Sequence, residues 1–304
     1  MNMNHKNKVI YTCITGNYDE VLHDQFKNEE FDYICFTDTD SYPENSIWQF
    51  RPLAFSALDN IRNQRWHKIH PHEILPEYEE SIWIDGNIRL VEKEFFTKMR
   101  KPSQDEYMLI APHPQRNSLY DEFIKNEQLG KDDKNLMRLQ EEIIRQSGFD
   151  GNYQNGKFFE SNVLWRRHRK SSCQRIMHSW WYWIDKYSYR DQLSLTYILW
   201  ENSADINYMF EEDLRSSGLI QLIKGKEHKN TNQLKKANQE LRSEIKNNKL
   251  ELQKYQHELN ETKKQLEEAQ TYTQILLQSR SYRIGRALTY PLRVLKRSYQ
   301  SRKT

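Results

Sequence analysis

At 304 residues, with 37% hydrophobic and 12% aromatic side chains, the chain can bury the core of one large domain and still carry an appendage. Its net charge of +3 is uneven, because no acid follows Glu268 and the eight basic residues from Arg280 to Lys303 leave the first 268 residues at −5 when set aside. An acidic body argues against a nucleic-acid partner, and a mean hydropathy of −1.00 argues against a bundle of apolar spans.

The first apolar run, Val9–Ile14 (VIYTCI), is β-branched and aromatic and stops at Thr15-Gly16-Asn17. That pattern predicts a buried strand ending in a turn. The polar MNMNHKNK before it, and the break at Gly16, Asn17 and Asp19, make no signal-peptide core or membrane span. Tyr33–Thr37 (YICFT) predicts a second strand ending at Asp38, and Ala54–Arg65 a helix, with Arg62, Arg65 and Lys68 at helix-like spacing. Pro71 and Pro76 punctuate a short connection. Ser81–Asp85 is a third strand and Met108–Ala111 a fourth, ending at Pro112-His113. A polar helical stretch from 118 to 146 follows, then a loop at 148–156 crowded with Gly, Asn and Asp. Phe158–Trp165 reads as a strand, Ser179–Ile184 carries three tryptophans, and Arg190–Leu199 reads as a helix. Trp180, Trp181 and Trp183 suit either core packing or stacking on sugar faces.

Apolar strands alternating with helices predict an α/β sheet covered on both faces. Such sheets bind ligands beyond the carboxyl ends of their strands. Those ends here carry Thr15-Gly16, Asp38, Asp85 and His113. Cys13, Cys35 and Cys173 have no zinc-ligand spacing, and their odd number makes no disulfide framework. The expected setting is a reducing, cytoplasmic one.

From Thr231 the pattern changes. Leu234 and Leu241 lie seven apart, and Ile245, Leu252, Leu259 and Leu266 repeat the interval four residues out of phase. This is an a/d seam, which predicts a coiled coil over 231–278 with self-association as the simplest cover for its leucines. Folding back on the body is the alternative. Residues 279–304 interleave Tyr282, Ile284, Leu288, Leu292, Val294 and Leu295 with arginines, around Pro291. That basic amphipathic tail suits peripheral contact with the inner face of the plasma membrane, or docking on the acidic body.

The segment most suggestive of chemistry is Arg65–Arg89, RWHKIHPHEILPEYEESIWIDGNIR. A basic helix end passes through a proline-bounded loop into a strand that ends at Asp85-Gly86-Asn87. A buried acid at a strand end is costly unless a cation or hydrogen-bond donors meet it. The two oxygen ligands of Asp85 and Asn87 suit Mg²⁺ or Mn²⁺ held with substrate phosphates. The plainer alternative is that Asp85 caps the following turn.

This segment resembles the stretch leading to the Asp-x-Asp metal motif of family-eight glycosyltransferases of the glycogenin and galactosyltransferase type. More broadly, YTCITGNYD, YICFTD, PHEILPEYEESIWIDGN and RDQLSLTY resemble a glycosyltransferase-like family of bacterial and plant proteins, over residues 8–209. The resemblance implies a Rossmann-like glycosyltransferase A fold over 1–225, followed by the coiled-coil helix, with a nucleoside diphosphate sugar as donor and a divalent metal. It implies that Thr12, Thr15, Gly16 and Tyr18 line the base and ribose pocket. Asp38 would reach the nucleoside, and Arg65 and Lys68 the diphosphate. Asp85 and Asn87 match the metal motif, with Asn87 standing where the second Asp would be. FESNVLWRRH resembles the acceptor-side strand, which makes His168 the late metal ligand, with His113 as the alternative, and brings Glu160 to the acceptor. Asp191 would point at the sugar or acceptor, unless it only caps its helix. Asp191 and Glu160 are the two candidates for the base that deprotonates the acceptor hydroxyl.

The function this implies is sugar transfer to a glycan or other cell-surface acceptor. Two alternatives stand beside it. One is a metal-dependent, amidase-like hydrolase in which Asp85 and a histidine activate water. The other is a non-catalytic coiled-coil scaffold with a sugar-nucleotide-binding body.

Overall fold

The computed structural model describes residues 6–40, 42–223 and 227–291, without the side chains of 227–244, Lys246 and Leu250. The chain divides into two units, Met1–Lys229 and Asn230–Thr304.

The first unit is built on a seven-stranded sheet in the order β3-β2-β1-β4-β7-β6-β8. Its strands are β1 (Lys8–Ile14), β2 (Asp32–Thr37), β3 (Gln49–Pro52), β4 (Glu80–Ile84), β6 (Met108–Pro112), β7 (Phe159–Arg166) and β8 (Asn207–Tyr208). A two-stranded ribbon joins β5 (Ile88–Leu90) to β9 (Ile220–Leu222). β1 is parallel to β2 and β4, and β2 to β3, whereas β7 runs antiparallel to both β4 and β6. Helices α1 (Asn60–Ile69), α2 (Pro71–Ile74), α3 (Glu94–Lys98), α4 (Leu119–Leu129), α5 (Lys134–Gln146), α6 (Ser171–Lys186) and α7 (Gln192–Glu201) complete the unit. The α/β class and its mostly parallel sheet are as the alternation of apolar runs requires.

The core has two buried clusters with alternate strand residues in each. Tyr11, Ile34, Trp83, Ile110 and Leu164 belong to one, and Ile10, Cys35, Ile82, Leu109 and Trp165 to the other. That division is the period-two geometry of strands buried on both faces. Trp180 and Trp183 are buried in the first cluster, so core packing accounts for them and neither offers a face to a sugar.

Several boundaries differ from expectation for local reasons. α1 starts at Asn60 because Asp59 caps it, its carboxylate accepting from the Arg62 amide at 3.0 Å. The stretch 118–146 is two helices, parted at Gly130, which sits in the left-handed region at φ 59° and closes α4. β4 ends at Ile84, one residue short of the expected Asp85, and after the turn at Asp85–Asn87 the chain resumes as β5.

In the second unit α8 (Glu227–Gln278) is one continuous helix of 52 residues, about 78 Å long, followed by α9 (Arg280–Leu288). The seam residues Ile245, Leu252, Leu259 and Leu266 are 53–64% exposed. The side chains of Leu234 and Leu241, and the tail from Leu292 onward, lie outside the described residues. Among the described residues, no helix is long and apolar enough to cross a membrane.

Candidate active site

The parallel strands end along one edge of the sheet, and loops there enclose a row of cavities. The first, about 300 Å³, is lined by Thr15, Tyr18, Asn60, Arg65, Asp85 and Asn87 among others. The second, about 390 Å³, includes His113, Glu122, Glu160, Asn162, Asp191 and Arg215. Arg65, Asp85, Asn87, Lys131 and Arg190 border both, so the two form one cleft with Asp85 at its waist. A third, about 810 Å³, opens beside Gly16, Asp38, Thr37 and Tyr42.

Asp85 is fixed by four contacts. Its amide donates to the Asn162 carbonyl at 2.9 Å, and its own carbonyl accepts from the Ile88 amide at 2.9 Å, which closes the turn. Its Oδ1 accepts from the Trp83 indole at 2.7 Å and lies 3.4 Å from the Lys68 ammonium. Gly86 in the turn is a position of close approach rather than of left-handed backbone. A Cβ on Gly86 would stand 3.0 Å from the Ile14 side chain.

Behind Asp85, Lys68 is fully buried. Its ammonium donates to Asp191 Oδ2 at 2.5 Å and to Ser161 Oγ at 3.4 Å, with the Trp83 and Trp180 rings 5.7 and 5.9 Å away. A buried ammonium requires such company. Lys68 lines none of the cavities, which corrects the expectation that it approaches the diphosphate. It acts instead on Asp85 and Asp191.

Asp191 stands at the start of α7 but makes no side-chain cap. Its Oδ1 lies 3.4 Å from Arg65 Nε, and its Oδ2 takes the Lys68 ammonium and the Ser161 hydroxyl at 3.0 Å. Burial alone would raise its carboxyl, but Arg65, Lys68 and Arg190 outweigh that and hold it well below the usual carboxylate range. A carboxylate so committed is a poor proton acceptor, which corrects its reading as a base. It aligns the cations instead.

β7 supplies the far wall. Its pairing with β6 jumps from Ile110↔Leu164 to Ala111↔Glu160, so Ser161, Asn162 and Val163 fall outside that ladder. The bulge brings the neighbouring Ser161 and Asn162 together to the second cavity. Asn162 Oδ1 is buried with no hydrogen-bond partner, and so is Glu160 Oε2. Glu160 Oε1 is gripped by the Arg215 guanidinium. Asp85, Asn87 and the orphaned Asn162 oxygen make an all-oxygen donor set that suits a hard dication.

His168 does not belong to this site. Its Nδ1 pairs with Ser81 Oγ at 2.9 Å and its Nε2 with the Leu75 carbonyl at 3.1 Å. Ser81 is the second residue of β4 and Asp85 follows its end, a separation of about 13 Å. Because β7 is antiparallel, its start meets Asp85 and its end leads away. His113 does reach the second cavity, where its Nδ1 accepts from the Gln115 and Arg116 amides at 3.1 and 3.0 Å and its Nε2 faces Arg116. Burial, with Arg116 and Arg215, pushes its proton affinity down to about 4.

The nucleoside-side residues divide. Thr15 and Tyr18 line the first cavity, the Thr15 hydroxyl donating to the Asn60 carbonyl at 2.7 Å. Gly16 and Asp38 line the third and bond each other, amide to carboxylate, at 2.7 Å. Thr12 is buried beneath Gly86 and Ile14 and lines none of the three, a correction whose cause is its depth in β1, two residues short of the strand end.

Ser161, Asn162, Glu122, Lys131 and Arg190 are cleft residues that pattern alone did not single out. The one available signal was the polar pair Ser161-Asn162 inside an otherwise apolar strand.

No curated protein matches the sequence. Among solved structures, mouse xyloside xylosyltransferase 1 in its apo form aligns with 67% of this chain and 84% of its own, at 14% identity and a TM-score of 0.37. The apo WbbM bifunctional glycosyltransferase aligns with 68% of this chain and 39% of its own, at 9% identity and a TM-score of 0.41. The family model described as TOD1/MUCI70, glycosyltransferase-like domain, matches residues 46–223, from β3 through the cleft to β9. The chain belongs to the TOD1/MUCI70 glycosyltransferase-like family.

Proposed function

We propose that the protein transfers a sugar from a nucleoside diphosphate sugar to a hydroxyl of a glycan or comparable cell-surface acceptor, with a divalent cation at the diphosphate. The observation that carries this is the cleft waist, where Asp85, backed by Lys68 and Asp191, separates two cavities of substrate size within a glycosyltransferase-like domain. The nucleoside takes the Thr15–Tyr18 side and the acceptor takes the Glu160–Arg215 side.

Asp85, Asn87 and Asn162 would hold Mn²⁺ or Mg²⁺. When bound, such an ion offsets the charge that the leaving diphosphate gains. The chain supplies the rest. Arg65 and Arg190 border both cavities and add fixed positive charge where that leaving group forms. Asp191 keeps Arg65 and Lys68 aligned, so no reorganisation is needed as charge develops. Glu160 Oε2 accepts the acceptor hydroxyl proton, with Arg215 holding the carboxylate in place.

The hydrolase reading needs three ligands around an open metal position with a histidine among them. In the cleft only His113 offers an imidazole among the described residues, and Arg116 and two amides already engage its ring.

For the second unit, we propose pairing of α8 with a second copy, since four exposed seam residues at seven-residue intervals need a partner of the same repeat. Residues 279–304 would then present basic tails to an anionic membrane face.

A thermal-shift panel of nucleoside diphosphate sugars, with and without Mn²⁺, tests the transferase reading. A ligand at 100 times its Kd contributes about 2.7 kcal/mol, which for a domain of this size is a shift of about 5–10 °C. A flat response across uridine, guanosine, adenosine and thymidine donors would remove the proposal.

A further inference from the structure

The run His67–Glu73, HKIHPHE, holds three histidines and an acid in seven residues, yet His70, His72 and Glu73 line neither half of the cleft. His67 is spent internally, its Nε2 accepting from the Ala54 amide at 2.9 Å and its Nδ1 donating to the Asn63 carbonyl at 2.7 Å. The other two meet His178, which the middle of α6 brings across 106 residues of chain.

His72 Nε2 lies 3.2 Å from His178 Nε2 and 3.6 Å from Glu73 Oε1. His70 Nε2 lies 4.0 Å from the same Oε1. Around a tetrahedral zinc-class ion, with ligands at 2.0–2.2 Å, neighbouring donor atoms stand about 3.3–3.6 Å apart. The observed separations bracket that edge. The tautomers agree as well. His70 Nδ1 donates to the Trp66 carbonyl at 2.9 Å, which leaves a lone pair on the Nε2 that faces the carboxylate. Two acceptors turned toward each other want a cation between them, and a backbone carbonyl behind the ring is the usual device for orienting a ligating imidazole. The His72 side chain is 7% exposed, its Nδ1 has no hydrogen-bond partner, and its Nε2 is turned to His178 Nε2 at 3.2 Å.

We infer that His72, His178 and Glu73, whose donor atoms all lie within 4.8 Å of one another, bind a zinc-class transition-metal ion that clips α2 to α6, with His70 joining as fourth ligand by a shift of its ring. Three imidazoles and one carboxylate favour such an ion over Mg²⁺ or Ca²⁺. The clip has a mechanical consequence. α1, immediately before α2, carries Arg65 and Lys68. α6 packs on α1, and its Trp180 indole donates to the Asp191 carbonyl at 3.0 Å. An ion here fixes the spacing across which Lys68 meets Asp191. The inference does not depend on what the cleft transfers.

The test uses the full chain without a histidine tag, stripped with a chelator and titrated with Co²⁺ and then Zn²⁺. The expected result is one equivalent of Co²⁺ with the visible bands of a tetrahedral site, displaced by Zn²⁺, and a higher melting temperature with Zn²⁺. Both signals should fall at least 100-fold in apparent affinity in His178→Ala and Glu73→Gln, whose positions are exposed and tolerate exchange. Both should persist in Asp85→Ala. Absence of stoichiometric binding would overturn the inference and leave a cluster held by ring packing alone. Binding that survives His178→Ala but is lost in Asp85→Ala would overturn it too, by placing the ion in the cleft.

Discussion

Replacing Lys68 by Met would leave the buried Asp191 carboxylate without its shortest contact, the 2.5 Å ammonium, while keeping side-chain bulk. Removing one partner of a buried pair costs about 3–5 kcal/mol. Arg65 and Ser161 still hold Asp191 at 3.4 and 3.0 Å, so the lower end, about 3 kcal/mol, is the expected loss. Asp191→Asn alone leaves the buried Lys68 charge with only the longer carboxylate contact to Asp85, at 3.4 Å, and should also destabilise. The double variant strands neither, so the two losses should fail to add by about 2 kcal/mol. Urea unfolding of the four proteins at pH 7, followed by circular dichroism, measures this. The pH dependence carries a sign. Because the folded Asp191 pKa is depressed, its stabilisation is complete above the unfolded value of about 3.9 and is lost as pH falls toward the lower folded value. The wild type should therefore lose stability below about pH 4 more steeply than Asp191→Asn. Additive losses, or parallel acid limbs, would show that Lys68 and Asp191 are neighbours without being a coupled pair.

Three further outcomes follow from particular contacts. Gly16→Val places a branched side chain at φ 61° with its Cβ 2.0 Å from the side-chain Nδ2 of Asn60, and should cost about 2–3 kcal/mol in denaturant unfolding while weakening nucleotide binding. Arg166 is wholly buried, donating to the Lys68 carbonyl, the Tyr11 hydroxyl and Met177 Sδ, with no carboxylate among its described partners. Arg166→Met should stay within about 1 kcal/mol of wild type, because it removes an unpaired charge and the Tyr11 hydroxyl still donates to the Lys68 carbonyl at 2.9 Å. Light scattering should give at least twice the 37.0 kDa chain mass, falling to one copy in Leu252→Asp/Leu259→Asp; a monomeric wild type would dispose of the α8 pairing.

How far the sequence reaches depends on element length and on chain direction. β1, β2 and β4 were legible because burial on both faces leaves runs of apolar residues. β3 (QFRP) and the β5–β9 ribbon are only three or four residues long, so they leave no period to detect. Asp85 was legible as an acid at a strand end. Its partners were not, because Lys68 meets Asp191 across 123 residues and nothing local signals that pairing. His168 lies away from the cleft for a topological reason. An apolar strand looks the same in either direction, and only the antiparallel run of β7 decides that Glu160, Ser161 and Asn162 face the cleft while His168 ends beside Ser81. Asp191 is a candidate base by resemblance, and the sequence itself shows only a carboxylate at a helix start. The two cations that commit it come from α1.

The most direct measurement is calorimetric titration of nucleoside diphosphates into wild type and Asp85→Ala, each with and without Mn²⁺. The account predicts that one nucleotide binds wild type at least 10-fold more tightly with Mn²⁺, and that Asp85→Ala removes this gain while leaving some metal-free binding through the Thr15–Tyr18 side. Equal binding by the two proteins in Mn²⁺ would contradict it, because Asp85 would then have no part in holding the diphosphate.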